Sequence, residues 1–275
     1  MTFELFSECD MEAPVTRPFA GGTVSVYTRR CPDKETPNED SMAVFPVGPD
    51  SGVLVVADGV GGARAGHQAS AAAVQSLRET IAEVTDERSD LRPAILDGIE
   101  KANRRIMEMG IGAATTLAVV EINGNTMRPY HVGDSMILLM GQKGKNKLET
   151  MAHSPVGHAL QAGMINEDEA MQHEERHIVS NCVGTENMRI EIGSSVEMSV
   201  WDTLVLASDG LSDNMTVSDI IETLRRGKLP VRSQQLISKA REQMQLEDPQ
   251  SAPCKPDDLT VIVFRRTKVS TPVTH

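Results

Sequence analysis

Four apolar runs in this chain end or begin on aspartate. Residues 53–57 run into Asp58-Gly59-Val60-Gly61-Gly62, residues 204–207 into Ser208-Asp209-Gly210, and His131-Val132 into Gly133-Asp134-Ser135, while Asp257-Asp258 opens residues 259–264. A further acidic group, Asn38-Glu39-Asp40, stands just ahead of another apolar stretch. Asp followed by Gly is by itself an ordinary turn. Carboxylates gathered by a fold are different, because they repel one another and stay ionised near neutral pH only with cations between them. Oxygen ligands without a His or Cys cluster select hard divalent ions, Mg2+ or Mn2+, over zinc or copper. The glycines after Asp58 then have a use: bare backbone turns sharply, offers the Gly59 carbonyl as a ligand, and leaves room for a bulky substrate.

The elements that must hold these groups are legible in outline. Short β-rich runs at 23–28, 53–57, 115–122, 127–132, 136–140, 204–207 and 259–264 are bounded by turn residues and predict strands. Asn123-Gly124 reads as a tight hairpin and residues 141–144 as a looser one, so at least part of the sheet is antiparallel. Apolar residues at three-and-four spacing predict two consecutive helices, one through Ala65, Ala69, Ala72, Ala73, Leu77, Ile81 and Val84, the next through Ile95, Ile99, Ala102, Ile106 and Met109. Thr216 with Asp219 predicts a capped helix that Gly227 would end, and Leu236, Ile237, Ala240 and Met244 mark another. Strands and helices cluster instead of alternating, which favours α+β over a doubly wound parallel sheet. Residues 1–17 lack periodicity and read as an N-terminal extension, 18–268 as one domain and 269–275 as a C-terminal tail. Residues 153–186, polar and rich in His and Glu, read as an inserted flap.

Composition narrows the function. With 275 residues and 40% hydrophobic content the chain can bury a sizeable core. A net charge of −12 makes a nucleic-acid partner unfavourable. No apolar run is long enough to span a membrane, and the N-terminus carries acids where a secretory signal would carry Lys or Arg, so a cytoplasmic protein without a membrane partner is expected. Cys9, Cys31, Cys182 and Cys254 are scattered without a Cys-x-x-Cys pair, which argues against a thiolate zinc site or a disulfide framework. The seven histidines show no metal-ligand spacing and read as surface or packing residues, and Lys143, Lys145 and Lys147 as a solvated hairpin tip. Gly59-x-Gly61-x-x-Arg64 lacks the third glycine of a dinucleotide fingerprint and puts Asp58 where it would repel a pyrophosphate. There is no Gly-Lys-Ser/Thr and no Gly-x-Ser-x-Gly, so neither a P-loop nor a serine nucleophile has an anchor.

In order along residues 20 to 268, several motifs resemble the bacterial form of the metal-dependent protein phosphatases, the PPM family of type 2C serine/threonine phosphatases. They are Asn38-Glu39-Asp40, Asp58-Gly59-Val60-Gly61-Gly62 with Gly66 and Ala69-Ser70, Ala114-Thr115-Thr116, Gly133-Asp134-Ser135, Ser208-Asp209-Gly210-Leu211-Ser212-Asp213, and Asp257-Asp258-Leu259-Thr260. The resemblance implies a four-layer α-β-β-α sandwich of two antiparallel sheets, with two Mn2+ or Mg2+ ions at one end. Asp58 would bridge both ions, Asp40 and the Gly59 carbonyl would serve one, and Asp209 and Asp257 the other. Glu39 would act through water, and Asp134 would help hold a third, weaker ion. The activity implied is hydrolysis of phosphoserine and phosphothreonine by a water shared between the ions, with no side-chain nucleophile. The implied partners are phosphorylated proteins, substrates of a cognate Ser/Thr kinase, and a monomer is expected. The flap is expected to influence substrate choice.

Three departures stand out. Glu35 occupies the position of an arginine that clamps the substrate phosphate, leaving Arg29, Arg30 and Arg64 as candidates, with Arg29 and Arg30 favoured because they precede the acidic motif on the same loop. Val60 replaces a histidine of the eukaryotic members, and Met136 replaces an arginine. Glu35 also motivates the alternative of a phosphatase-like regulatory or binding module with weak catalysis. Retention of the matched acidic positions favours catalysis, since clustered acids without a cation would only destabilise the fold.

Overall fold

The computed structural model describes residues 2–60, 65–84, 90–246 and 255–267. Its strands are β1 (Glu4–Ser7), β2 (Val15–Phe19), β3 (Gly22–Arg29), β4 (Asp40–Pro46), β5 (Ser51–Asp58), β6 (Leu117–Asn123), β7 (Thr126–Val132), β8 (Met136–Met140), β9 (Asn146–Glu149), β10 (Glu191–Ile192), β11 (Val196–Glu197), β12 (Thr203–Ala207) and β13 (Leu259–Arg266). Its helices are α1 (Gly66–Ala82), α2 (Arg92–Glu108), α3 (Pro155–Gln161), α4 (Glu167–Met171), α5 (Asp209–Ser212), α6 (Val217–Leu224) and α7 (Leu229–Met244). None of the described helices is long and apolar enough to cross a membrane.

Two antiparallel sheets form, one ordered β1-β4-β5-β6-β7-β10 with β11 also on β7, the other β2-β3-β13-β12-β8-β9. Alternation along each strand stacks them into layers. In β5, Val53, Val55 and Ala57 face α1 and α2, while Leu54 and Val56 face the other sheet. In β13, Ile262 and Phe264 meet them from across, while Leu259, Val261 and Val263 turn outward to α5, α6 and α7. Central strands buried on both faces show why their sequences are almost wholly apolar. A fully buried residue such as Leu54 contributes about 1.5–3 kcal/mol from burial.

The first 17 residues, expected as an N-terminal extension, supply two strands. Glu4–Ser7 pair with residues 41–44 as an edge of the first sheet, and Val15–Phe19 pair with β3 as an edge of the second. The hairpin between β6 and β7 turns on Gly124 (φ 59°) and Asn125, because Asn123 still pairs with Thr126. Thr216 caps α6 by accepting from Asp219 N at 3.1 Å, and the helix stops at Leu224, before Gly227. Lys147 is not a free tip: its ammonium stands 2.5 Å from the buried Asp202 carboxylate. The flap contains α3 and α4 and returns to the first sheet through the Thr115–Val183 bridge.

Candidate metal centre

Strand register decides where the acids go. β4 begins on Asp40, β5 ends on Asp58, and the two residues are antiparallel partners. β12 ends at Ala207, opposite Val261 of β13 and Met136 of β8. Ser208 and Asp209 therefore leave the second sheet beside Asp257-Asp258, which leads into β13, and beside Asp134, which leads into β8. The two sheets meet here: Asp209 N lies 3.5 Å from Asp58 Oδ2.

Asp58, Asp40 and Asp258 are held from behind. The Thr115 hydroxyl and the Thr116 amide both donate to the Asp58 carbonyl, at 2.7 and 2.8 Å. The start of α1 presses on the Asp58 turn only because two residues lack side chains: a Cβ at Gly59 would lie 2.5 Å from Gly66 backbone, and one at Gly66 would lie 2.8 Å from Glu39 Oε1. Ser208 donates its hydroxyl to Asp40 Oδ2 at 2.7 Å. Asn38 Nδ2 donates to Thr28 Oγ1 at 2.9 Å, Thr28 lies 2.6 Å from Thr260 Oγ1, and the Thr260 hydroxyl supports Asp40 in turn. Asp258, named in its motif without a role, accepts from the Cys31 and Glu39 amides, both at 2.7 Å, and so fixes the 31–39 loop.

The residues fit a hard cation. Asp40 Oδ1 is buried without a hydrogen-bond partner, which is costly for a carboxylate unless a cation meets it. Burial, then Asp40, Asp209, Asp257 and Asp134, push the Asp58 carboxyl well above its ordinary range. Burial and Asp258 do the same to Asp40. Burial with Asp209 and Asp213 pushes Asp134 up to about 7. Burial with Asp209 pushes Asp257 and Asp213 up to about 6 each. Every donor is oxygen, which suits Mg2+ or Mn2+.

Cations of the chain itself also reach this cluster, and no motif announced them. Lys255 Nζ lies 2.5 Å from Asp209, 2.7 Å from Asp213 and 3.3 Å from Asp257. Lys34 Nζ lies 2.8 Å from Glu39 and 2.7 Å from Asp258. Burial alone would lower both lysines, but their carboxylates outweigh it and raise them. The structure does not direct Arg29 and Arg30 to the acids: Arg29 pairs with Glu12 at 3.2 Å and Arg30 with Asp10 at 3.3 Å, drawn there by the nearer N-terminal carboxylates. Arg64, Gly61 and Gly62 lie outside the described residues.

Residues 153–186, the expected flap, flank one side of the centre. A cavity of about 380 Å³ lies between them and the core, bounded by Asp134, Asp209 and Asp213 at one end and by Val156, Leu160 and Met171 of the flap. Its base is knotted by His153, which stacks on His131 at 4.4 Å. The His153 ring accepts at Nδ1 from Gly133 N (3.1 Å) and Asn181 Nδ2 (2.9 Å), so its proton sits on Nε2 and goes to Glu191 at 3.1 Å. His131, His153 and Glu191 bring donor atoms within 4.8 Å of one another. Those hydrogen bonds leave His153 no free lone pair, so the trio fastens the flap to the sheet.

Known proteins resemble this chain in sequence and fold. The family profile described as protein phosphatase 2C matches residues 29–248. A putative protein phosphatase 2C-type from Streptococcus pyogenes is 32% identical over 216 residues, covering 75% of this chain and 87% of its own. Protein phosphatase PhpP of Streptococcus pneumoniae is 31% identical over 193 residues, covering 68% and 78%. The serine/threonine phosphatase structure from S. agalactiae matches with a TM-score of 0.75 at 30% identity, over 89% of this chain and 99% of that one. The PstP catalytic domain solved with two manganese ions shares the fold, with a TM-score of 0.71 at 23% identity over 93% and 100%. A match that runs from the Asn38-Glu39-Asp40 loop through both sheets leaves one assignment, and the chain belongs to the protein phosphatase 2C family.

Proposed function

We propose that this protein removes phosphate from phosphoserine and phosphothreonine in cytoplasmic phosphoproteins, using divalent ions held by Asp40, Asp58, the Gly59 carbonyl, Asp209 and Asp257. The observation that carries this reading is the unpartnered Asp40 Oδ1, buried at the strand ends where Asp58, Asp209 and Asp257 converge. When bound, such ions neutralise phosphoryl oxygens and draw a nucleophile from solvent at neutral pH. The chain's own residues do the positioning. Ser208 and Thr260 orient Asp40, the Thr115-Thr116 pair fixes Asp58, and Glu39 is set at the rim by Ser70, which donates to its carbonyl at 2.6 Å. Lys34, beside Glu39, is a candidate to stand in for the missing phosphate clamp. The flap cavity offers the residues flanking the phosphoester an apolar wall.

The test is Mn2+-dependent hydrolysis of p-nitrophenyl phosphate and of a phosphothreonine peptide. We expect activity that is lost in chelator and falls about a hundred- to a thousandfold in Asp209→Ala, a loss of the size expected when an electrostatic element of the centre is removed. Full turnover in strong chelator would overturn the reading, and no turnover by the folded, Mn2+-loaded wild type would favour a regulatory module.

A further inference from the structure

Lys255 is a constructed feature of the acidic end. Buried Asn214 grips its backbone on both sides, accepting from Lys255 N at 2.9 Å and donating to Lys255 O at 2.8 Å. The same Asn214 amide donates to Gly210 O at 3.0 Å, tying the lysine to α5, the helix that carries Asp209. Pro256 follows and biases Lys255 toward extended backbone. The stem therefore leaves a fixed point, and the ammonium comes to rest against Asp209 and Asp213, with Asp257 farther off at 3.3 Å. The ammonium also pairs with Asp213 Oδ2 at 2.7 Å.

Asp134 lines the same cavity as Asp209 and Asp213. Three oxygen-donor side chains thus border one cavity, and one ammonium already serves two of them. We propose that Lys255 is a resident counter-ion that competes with divalent metal for the Asp134–Asp209–Asp213 position, so that this chain loads its ions on the Asp40–Asp58 side and resists a further one here. The inference rests on the metal reading given above. Its consequence is a two-ion protein whose outer carboxylates are partly offset without dissolved metal.

The experiment counts ions. Mn2+ is titrated into chelator-stripped full-length protein, with free Mn2+ followed by electron paramagnetic resonance and bound Mn2+ by equilibrium dialysis. Wild type is expected to saturate at two ions. Lys255→Gln is expected to take up a third, or to bind it at least about tenfold more tightly, since a unit charge a few ångströms away at an effective dielectric near 20 exceeds that size. Adding Asp213→Asn should remove the gained ion, Lys255→Arg should keep two, and Lys101→Gln, whose partner is the distant Glu79, should change nothing. Circular dichroism establishes that each variant is folded. Folded Lys255→Gln with unchanged count and affinity, or wild type that binds a third ion as tightly as the variant, overturns the inference. Wild type that takes up no Mn2+ brings down the metal reading itself.

Discussion

Asp258 shows how much a single cation matters beside this centre. Its side chain is only 3% exposed and accepts from two amides and from Lys34. The amides supply hydrogen bonds but no net charge, so Lys34→Met strands a buried carboxylate and weakens Glu39 as well. We expect a loss of about 3 kcal/mol in urea denaturation, at the lower end for a broken buried pair because the amides remain. Arg29→Ala and Arg30→Ala should each cost less than about 1 kcal/mol, since their acidic partners are solvated. Equal losses in all three variants would deny Lys34 its special place. The aspartates could be read from sequence because each sits in a short local word, Asp58 and Asp209 with a following glycine, Asp40 and Asp134 with a following serine, and Asp257 beside Asp258 at the start of an apolar run. Lys34 and Lys255 could not, because a cation that reaches across the fold has no spacing to its partners: Lys255 lies 46 residues from Asp209 and Lys34 lies 224 from Asp258.

At the scale of elements, geometry turns on how closely α5 lies against β13. A Cβ at Gly210 would stand 2.1 Å from the Asp258 carbonyl, which is backbone and cannot swing aside. Gly210→Ala must therefore push Asp209 away from Asp257. The expected cost is about 1–3 kcal/mol of stability for overpacking, together with weaker Mn2+ binding read by titration. Thr216→Ala removes the cap of the next helix, should cost about 1 kcal/mol, and should leave Mn2+ affinity untouched. A Gly210→Ala protein that binds Mn2+ normally would show that the α5 contact does not set the metal geometry. Strands such as β5, β12 and β13 were legible because burial on both faces forces an apolar run, and α1 and α2 because one apolar stripe covers the sheet. β1 and β2 were not, since edge strands only partly buried carry Glu4, Ser7 and Arg17 and lose the alternation. β10 and β11, two residues each, are defined only by their pairing with β7.

For the whole molecule, the gathered acids make stability depend on pH and metal together. In the metal-free protein Asp134 is pushed up to about 7 and Asp213 and Asp257 up to about 6, with Asp40 and Asp58 also raised. Unfolded aspartate titrates near 4. A folded value above the unfolded one means that the stabilising state is the protonated one: its contribution is complete below about 4 and is lost as pH rises through 6 to 7. Every tenfold gain in a carboxylate's proton affinity on folding corresponds to about 1.4 kcal/mol, and solvent at the partly exposed Asp257 trims its share, so a fall on the order of 10 °C in Tm between pH 5 and pH 8 is expected in chelator. Saturating Mn2+ should reverse the trend, because ions bind the deprotonated carboxylates and stabilise only the fold that gathers them. The Mn2+-induced gain in Tm should therefore grow with pH across the same window. Differential scanning calorimetry at fixed ionic strength, with and without Mn2+, decides it: a Tm in chelator that is flat or rises from pH 5 to 8 would mean that the aspartates do not repel one another in the folded chain, and the need for cations at the strand ends would go with that repulsion.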